Sequence, residues 1–283
     1  MSFIANTLVL GLIEAAPLVL AAVGFTLIYY LNGFINVAYA ENVTLGAYFA
    51  VIFNSLLGLN FYATIIPSAL LSGVVSVLTY LLIFKPAFER GVGKTEMIIL
   101  SVGLSFLLRY LARLIFGTDI YNFNISNPTY LSIFGIGITS IQITALALVA
   151  IISVGLYFFI YKTNYGEMMR GLANNEDLAK LSGISPSKVS ILVWFIAGVA
   201  GGLSGIFFGV FSFVSSLLGW NLILILIMIT IVGGIGNVRG ALIASIAAGL
   251  TTTAVTLITK PLYGEVALLI FFIAILKIKK VRA

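Results

Sequence analysis

The sequence predicts an all-α, polytopic helical membrane protein of about eight to nine transmembrane spans. Two observations carry that prediction. Hydrophobic residues make up 61% of the 283 residues and charged residues 8%, against roughly 45–50% and about 25% in soluble domains. The few charges are also segregated: none lies between Ile120 and Tyr161, and none between Val189 and Val238. A span needs about 20 apolar residues, so each of those runs holds one or two. The short alternating segments of a transmembrane β-barrel are not seen.

The spans follow in order from apolar runs bounded by charge or turn residues. The first is Thr7–Tyr30 and the second Ile35–Leu57. Phe61–Phe84 is the third and ends at a basic loop, and Met97–Phe116 is the fourth. Thr139–Tyr161 and Val189–Phe213 fill the two charge-free runs as spans five and six. Asn221–Gly236, Ala241–Thr259 and Leu262–Leu276 complete the set and are short or broken by glycine. The start, MSFIANTLVL, lacks the basic residues of a cleaved signal and reads as leading into the first span. Residues 1–283 read as one membrane domain with no internal repeat.

Lys and Arg set the orientation. They collect in the loop Lys85–Lys94 (Lys85, Arg90, Lys94), in 162–188 (Lys162, Arg170, Lys180, Lys188) and in the tail (Lys277, Lys279, Lys280, Arg282). Nine spans with the N-terminus outside place all three on the cytoplasmic side of the plasma membrane. The net charge of +6 is therefore topological, and the aromatic-interleaved basic face of a nucleic-acid binder is missing. The chain contains no cysteine and no histidine. That removes thiol chemistry, the commonest general base and the commonest metal ligand. No catalytic residues, metal site or cofactor are expected. GVGKT at Gly91–Thr95 imitates a nucleotide loop, but Phe88 occupies the first glycine position and membrane helices flank it.

Tyr161–Lys188 holds seven of the 24 charged residues. Tyr165–Leu172 has helical composition. Asn174 or Asn175 can cap a second short helix, with Glu176 and Asp177 in the first turn, where the helix dipole favours acids. Gly183 reads as its stop and Ser185-Pro186 as the start of the next span. Met169, Leu172, Leu178, Leu181 and Ile184 are expected to form one apolar ridge. About four residues suffice to join two spans, so a capped helical pair here suggests a docking surface, the bland alternative being a loop that keeps its charges in water.

Within the spans, Glu41 is costly enough to face protein or water. It either lines the path beside Asn36 or ties span one to span two by accepting backbone, Asn32 or Asn36 donors. Arg109 and Arg113 share a face at i, i+4. They read as snorkelling outward, or else as meeting an anionic substrate group or an external binding protein. Glu14 reaches the outer interface, and Pro17 is a candidate kink. Gly198, Gly202, Gly205 and Gly209 form a small-residue face for close helix packing, on another span or on a second subunit. Gly233–Gly240 reads as a sharp break between spans.

The stretch RGLANNEDLAKLSGI, Arg170–Ile184, resembles the cytoplasmic coupling loop of ABC importer permeases of the branched-chain amino acid (LivH/LivM) type. Arg170, Ala173, Asn175, Ala179, Gly183 and Ile184 match, and Asn174 stands where the family usually has Glu. Glu176 and Asp177 carry the acidic character here. LNGFINVAYAENVTLGAYFA is similar to the family's second-span motif through Asn36, Ala38, Glu41, Gly46, Ala47 and Tyr48, with Tyr39 and Ala40 replacing His and Gly. Pro86 and Gly103 are in register with the loop and fourth span. Gly233, Gly234, Gly236 and Gly240 match the glycine-rich motif, with Arg239 where proline is usual.

The resemblance covers nearly the whole chain. It implies a non-enzymatic permease subunit forming half of a path for amino acids, branched-chain ones first. It implies two ABC ATPase subunits, a second paralogous permease or a second copy, and an extracellular substrate-binding protein as partners. ATPase coupling would fall to Arg170, Ala173, Asn175, Glu176, Asp177, Ala179, Leu181, Gly183 and Ile184, and the path to Asn36 and Glu41. The competing class is a stand-alone ion-coupled carrier or channel built on Glu14, Glu41, Arg109 and Glu265.

Overall fold

A computed structural model describes residues 3–125, 129–133 and 136–278. The tail residues Lys279, Lys280 and Arg282, and part of the 117–138 connection, lie outside the described residues. Helix α1 (Phe3–Asn32) opens the chain and is followed by α2 (Tyr39–Val51), which runs on through a π-helical turn, Ile52–Leu56. α3 (Phe61–Thr79) continues through a second π turn, Tyr80–Phe84, into α4 (Lys85–Glu89). α5 (Lys94–Phe116) precedes a hairpin of β1 (Tyr130–Ile133) and β2 (Ile136–Thr139), antiparallel with Tyr130 opposite Thr139. Next come α6 (Ser140–Lys162), α7 (Asn164–Asn174), α8 (Glu176–Leu181) and α9 (Pro186–Phe211). α10 (Leu218–Gly233), α11 (Val238–Thr256) and α12 (Pro261–Ile278) close the fold.

Among the described residues, six helices are long and apolar enough to cross a membrane: α1, the α3–α4 run, α5, α6, α9 and α11. The sequence count of eight to nine also took in α2, α10 and α12. At 16 residues α10 rises about 24 Å, short of the roughly 30 Å hydrocarbon core. Apolar side chains crowd the outside, among them Leu114 (81% exposed) and Ile115 (72%) on α5. Water would not tolerate such a surface, and lipid does.

α1 is the central post. Every residue from Ala15 to Ile28 is buried, as a helix that is apolar all round requires. Pro17 sits inside it without ending it, and the Ser204 hydroxyl donates to the Pro17 carbonyl at 2.7 Å. The glycine face of α9 packs on internal spans. A methyl added at Gly198 or Gly202 would run into Ser76 or Ser72 of α3, and one at Gly205 into the Val43 carbonyl of α2. Two α3 serines also bond across this contact: Ser76 Oγ donates to Trp194 O at 2.8 Å and Ser72 Oγ to Asn42 O at 3.0 Å. Small residues let the backbones approach, and the helix carbonyls give the serine hydroxyls acceptors that lipid could not.

The α10–α11 connection is the sharp break expected at Gly233–Gly240. Gly236 adopts a φ of +75°, a conformation costly for any residue with a Cβ. The Asn237 side chain then caps α11 by accepting from the Gly240 N–H at 3.1 Å. GVGKT forms a turn and the first residues of α5, with no strand before it, so it has no phosphate-loop geometry.

Candidate functional site

The buried polar cluster starts where α1 stops. Residues 33–38 are irregular, so their backbone groups need partners away from water. Ser101 of α5 supplies them. Its Oγ accepts the Val37 N–H at 3.0 Å and lies 2.7 Å from Ile98 O and 3.3 Å from Ile35 O, so its single proton serves one of those carbonyls. One turn further along α5, Ser105 Oγ donates to Glu41 Oε1 at 2.8 Å. Another turn on, Arg109 donates to the same oxygen through Nε (3.2 Å) and Nη2 (3.1 Å). Nη2 also donates to Ser105 Oγ at 3.1 Å.

Glu41 is 1% exposed and Arg109 6%. The guanidinium is further covered by Trp220 of α10, its carbon 3.8 Å from the ring centroid, with Phe106 at 5.2 Å. Thr44 extends the cluster: its hydroxyl donates to Glu41 Oε2 at 3.5 Å and accepts the Gly219 N–H at 3.0 Å. The cluster therefore pins α2, α5 and α10 together.

This geometry corrects two expectations. Glu41 does not tie span one to span two through Asn32 or Asn36. It ties span two to span four, and Asn32 Oδ1 instead accepts from Trp194 Nε1 at 3.0 Å. Arg109 does not snorkel outward, because a buried carboxylate on the neighbouring helix claims it. Arg113 is half-buried, its guanidinium carbon 5.9 Å from the Tyr110 ring. Asn36 is 3% exposed, and its side-chain oxygen has no hydrogen-bond partner among the described residues. Glu14 and Glu265 are both exposed and neither joins the Glu41–Arg109 pair, so the four-residue site of an ion-coupled carrier does not assemble.

The second candidate site is the 162–188 segment. It forms the expected pair of helices, with Asn175 capping the second as expected; Thr163, which the sequence reading did not name, caps the first, and Ser185 precedes α9 without a side-chain capping bond. Thr163 Oγ1 accepts the Gly166 N–H at 3.1 Å to start α7. Asn175 Oδ1 accepts the Leu178 N–H at 3.0 Å to start α8. At the other end Ile184 N donates to Ala179 O and Gly183 N to Lys180 O, each at 3.0 Å. This paired closure needs the positive φ of +81° at Gly183. Lys180 and Glu176 pair at 2.8 Å on the exposed side of α8, and the carboxylate holds the Lys180 ammonium above its usual pKa.

The five expected ridge residues divide between two faces. Met169 (0%) and Leu172 (7%) are buried with Ala179 (5%) against Val189 and Val193 of α9, and Ile184 packs on them. Leu178 and Leu181 point the other way, 62% and 85% exposed. The inward set anchors the segment; the outward pair, spaced i, i+3, is an unpartnered apolar face with Asn175, Glu176, Asp177 and Gly183 exposed around it. Arg170 and Ala173 are half-buried, and the Arg170 guanidinium donates to the Ile160 carbonyl at the end of α6. Asn175→Ala should cost about 1 kcal/mol of local stability, the usual worth of an N-cap. Faster amide exchange at Leu178 and its neighbours is the expected reading, with the spans unchanged.

Sequence reasoning missed Ser101, Ser105 and Trp220. A signal for two of them exists: Ser101, Ser105 and Arg109 recur every four residues, a polar stripe on an otherwise apolar helix.

Comparison with known proteins agrees over nearly the whole chain. A family profile described as "Branched-chain amino acid transport system / permease component" matches residues 7–276. The chain is 28% identical to the probable branched-chain amino acid transport permease protein LivH of Methanocaldococcus jannaschii, over 95% of this chain and 88% of that one. It is 24% identical to the high-affinity permease proteins BraD of Pseudomonas aeruginosa (86% and 83% covered) and LivH of Escherichia coli (85% and 82% covered). Among solved structures, PsaBC from Streptococcus pneumoniae in complex with Fab is similar with a TM-score of 0.50 and 16% identity, covering 97% of this chain and 91% of that one. At that identity the likeness is one of fold.

Proposed function

This chain belongs to the family of permease components of branched-chain amino acid transport systems, and on that premise we propose that it forms half of the translocation path of an ABC importer for amino acids, branched-chain ones first. Segment 162–188 is its coupling loop, on the cytoplasmic side together with the C-terminus, and the N-terminus is outside. Its partners are two ABC ATPase subunits, a second permease and an extracellular substrate-binding protein. Asn36 and Glu41 belong to the half-path, with Glu41 held in place by α5.

The observation that carries this reading is the division of the loop's apolar residues. Met169, Leu172 and Ala179 fasten the loop to the bundle, while Leu178 and Leu181 are left to a partner. A loop that only kept charges in water would have no use for two exposed leucines on one face. GVGKT at Gly91–Thr95 lacks phosphate-loop geometry, and ATP hydrolysis is assigned to separate subunits.

The test is purification of the tagged chain from native membranes in mild detergent. Co-purification of an ATPase and a second polytopic chain is the expected result. A chain that purifies alone and transports leucine on an ion gradient would overturn it.

A further inference from the structure

The loop is joined covalently to α6 and α9, yet a third contact reaches it from elsewhere in the chain. Arg239 is the second residue of α11. Its guanidinium carbon lies 4.5 Å from the Tyr161 ring centroid and 5.1 Å from that of Tyr157. These two rings stand one turn apart at the end of α6, 5.2 Å from each other. Tyr161 is shared, because the guanidinium carbon of Arg170, on α7 of the loop, is 5.9 Å from the same ring. One aromatic side chain thus meets a cation from the loop and a cation from the α10–α11 turn, in the geometry of a cation–π contact.

The same region is held by apolar packing. Val238, beside Arg239, packs on the cluster that contains Ile160, Met169, Leu172 and Ala179. The turn also abuts the end of α1, where a Cβ at Gly236 would lie 3.0 Å from Tyr30 Cδ2.

We propose that Arg239 is a positioning residue for coupling: it clasps the α10–α11 turn to the loop through Tyr161, so that displacement of the loop is passed into α10 and α11 as well as into α6 and α9. The proposal rests on the permease reading above. Proline is the informative substitution at this position. Proline fits the first turn of a helix, where no intrahelical N–H bond is lost, but it offers no cation to Tyr161. The link also bears on the path, since α10 carries Trp220, which covers Arg109.

Two measurements test it. The first needs no transport. In the purified full chain, Arg239→Pro and Tyr161→Leu should each raise amide exchange across 233–240 severalfold, and Tyr161→Phe, which keeps the ring, should not. The second uses the assembled transporter in proteoliposomes and reads leucine taken up per ATP hydrolysed. Arg239→Pro and Tyr161→Leu should lower that ratio at least twofold, with the KM for leucine unchanged and Tyr161→Phe at the wild-type value. Unchanged exchange in both disruptive variants overturns the clasp. Changed exchange with uptake and hydrolysis falling in parallel makes it structural only, which overturns its part in coupling. Failure of the wild-type transporter to take up leucine would count against the permease reading, while the exchange result still decides the clasp.

Discussion

Arg109→Ala should destabilise the protein by about 3–5 kcal/mol, the usual cost of removing one partner from a buried ion pair. The reason is the carboxylate left behind. Glu41 is 1% exposed, and its Oε1 accepts from Ser105 and twice from Arg109. Without the guanidinium it keeps Ser105 and a 3.5 Å contact to Thr44, too little to offset desolvation of a full charge. The variant must expel the charge by taking up a proton or by letting water between α2 and α5. Unfolding in mixed micelles, followed by tryptophan fluorescence, should show the loss directly, since Trp220 covers the guanidinium. Glu41→Gln combined with Arg109→Met should recover most of it, because neither charge is then stranded. A single variant within about 1 kcal/mol of wild type, the range of an exposed pair, would sink the argument.

How this cluster escaped sequence reasoning shows what a sequence makes legible. The loop's helices, the Asn175 cap and the Gly183 stop follow from neighbours within four residues, and these were readable. The Glu41–Arg109 bond joins residues 68 apart, and no local rule pairs one buried acid with one particular base. The shared-face argument for Arg109 and Arg113 also fell short, because a helix face is wide: Arg109 on one part of it pairs with Glu41, whereas Arg113 lies against Tyr110. The apolar ridge failed at the α7–α8 turn. Spacing of three holds within each helix, inward for Met169 and Leu172, outward for Leu178 and Leu181. Which face of α8 continues which face of α7 depends on the backbone at Asn175, with φ of −156° and ψ of 104°, and composition does not specify those angles. The family motifs fell on two segments where polar groups collect, Glu41 with its α5 partners and the 170–184 stretch.

Leu181→Asp should detach the permease from its ATPase without unfolding it. Leu181 is 85% exposed, so its replacement removes almost no packing, and surface changes of this kind usually stay within about 0.5 kcal/mol. In a docked complex the balance reverses. A leucine side chain taken from water is worth roughly 1.5–3 kcal/mol, and an unpaired carboxylate put in its place adds a desolvation cost. The loss of affinity should exceed about tenfold, at 1.4 kcal/mol per decade. Uptake should fall with it, as the coupling role proposed for this surface requires. Leu178→Asp, one turn away on the same face, should behave alike. Met169→Asp supplies the contrast, since that side chain is 0% exposed among Leu172, Ala179 and Val189 and its loss should unfold the loop. If Leu181→Asp keeps the ATPase and full uptake while remaining folded, the partner sits elsewhere and the exposed leucines are not the coupling face. If it unfolds as Met169→Asp does, the division of the loop into an anchoring face and a docking face is itself wrong.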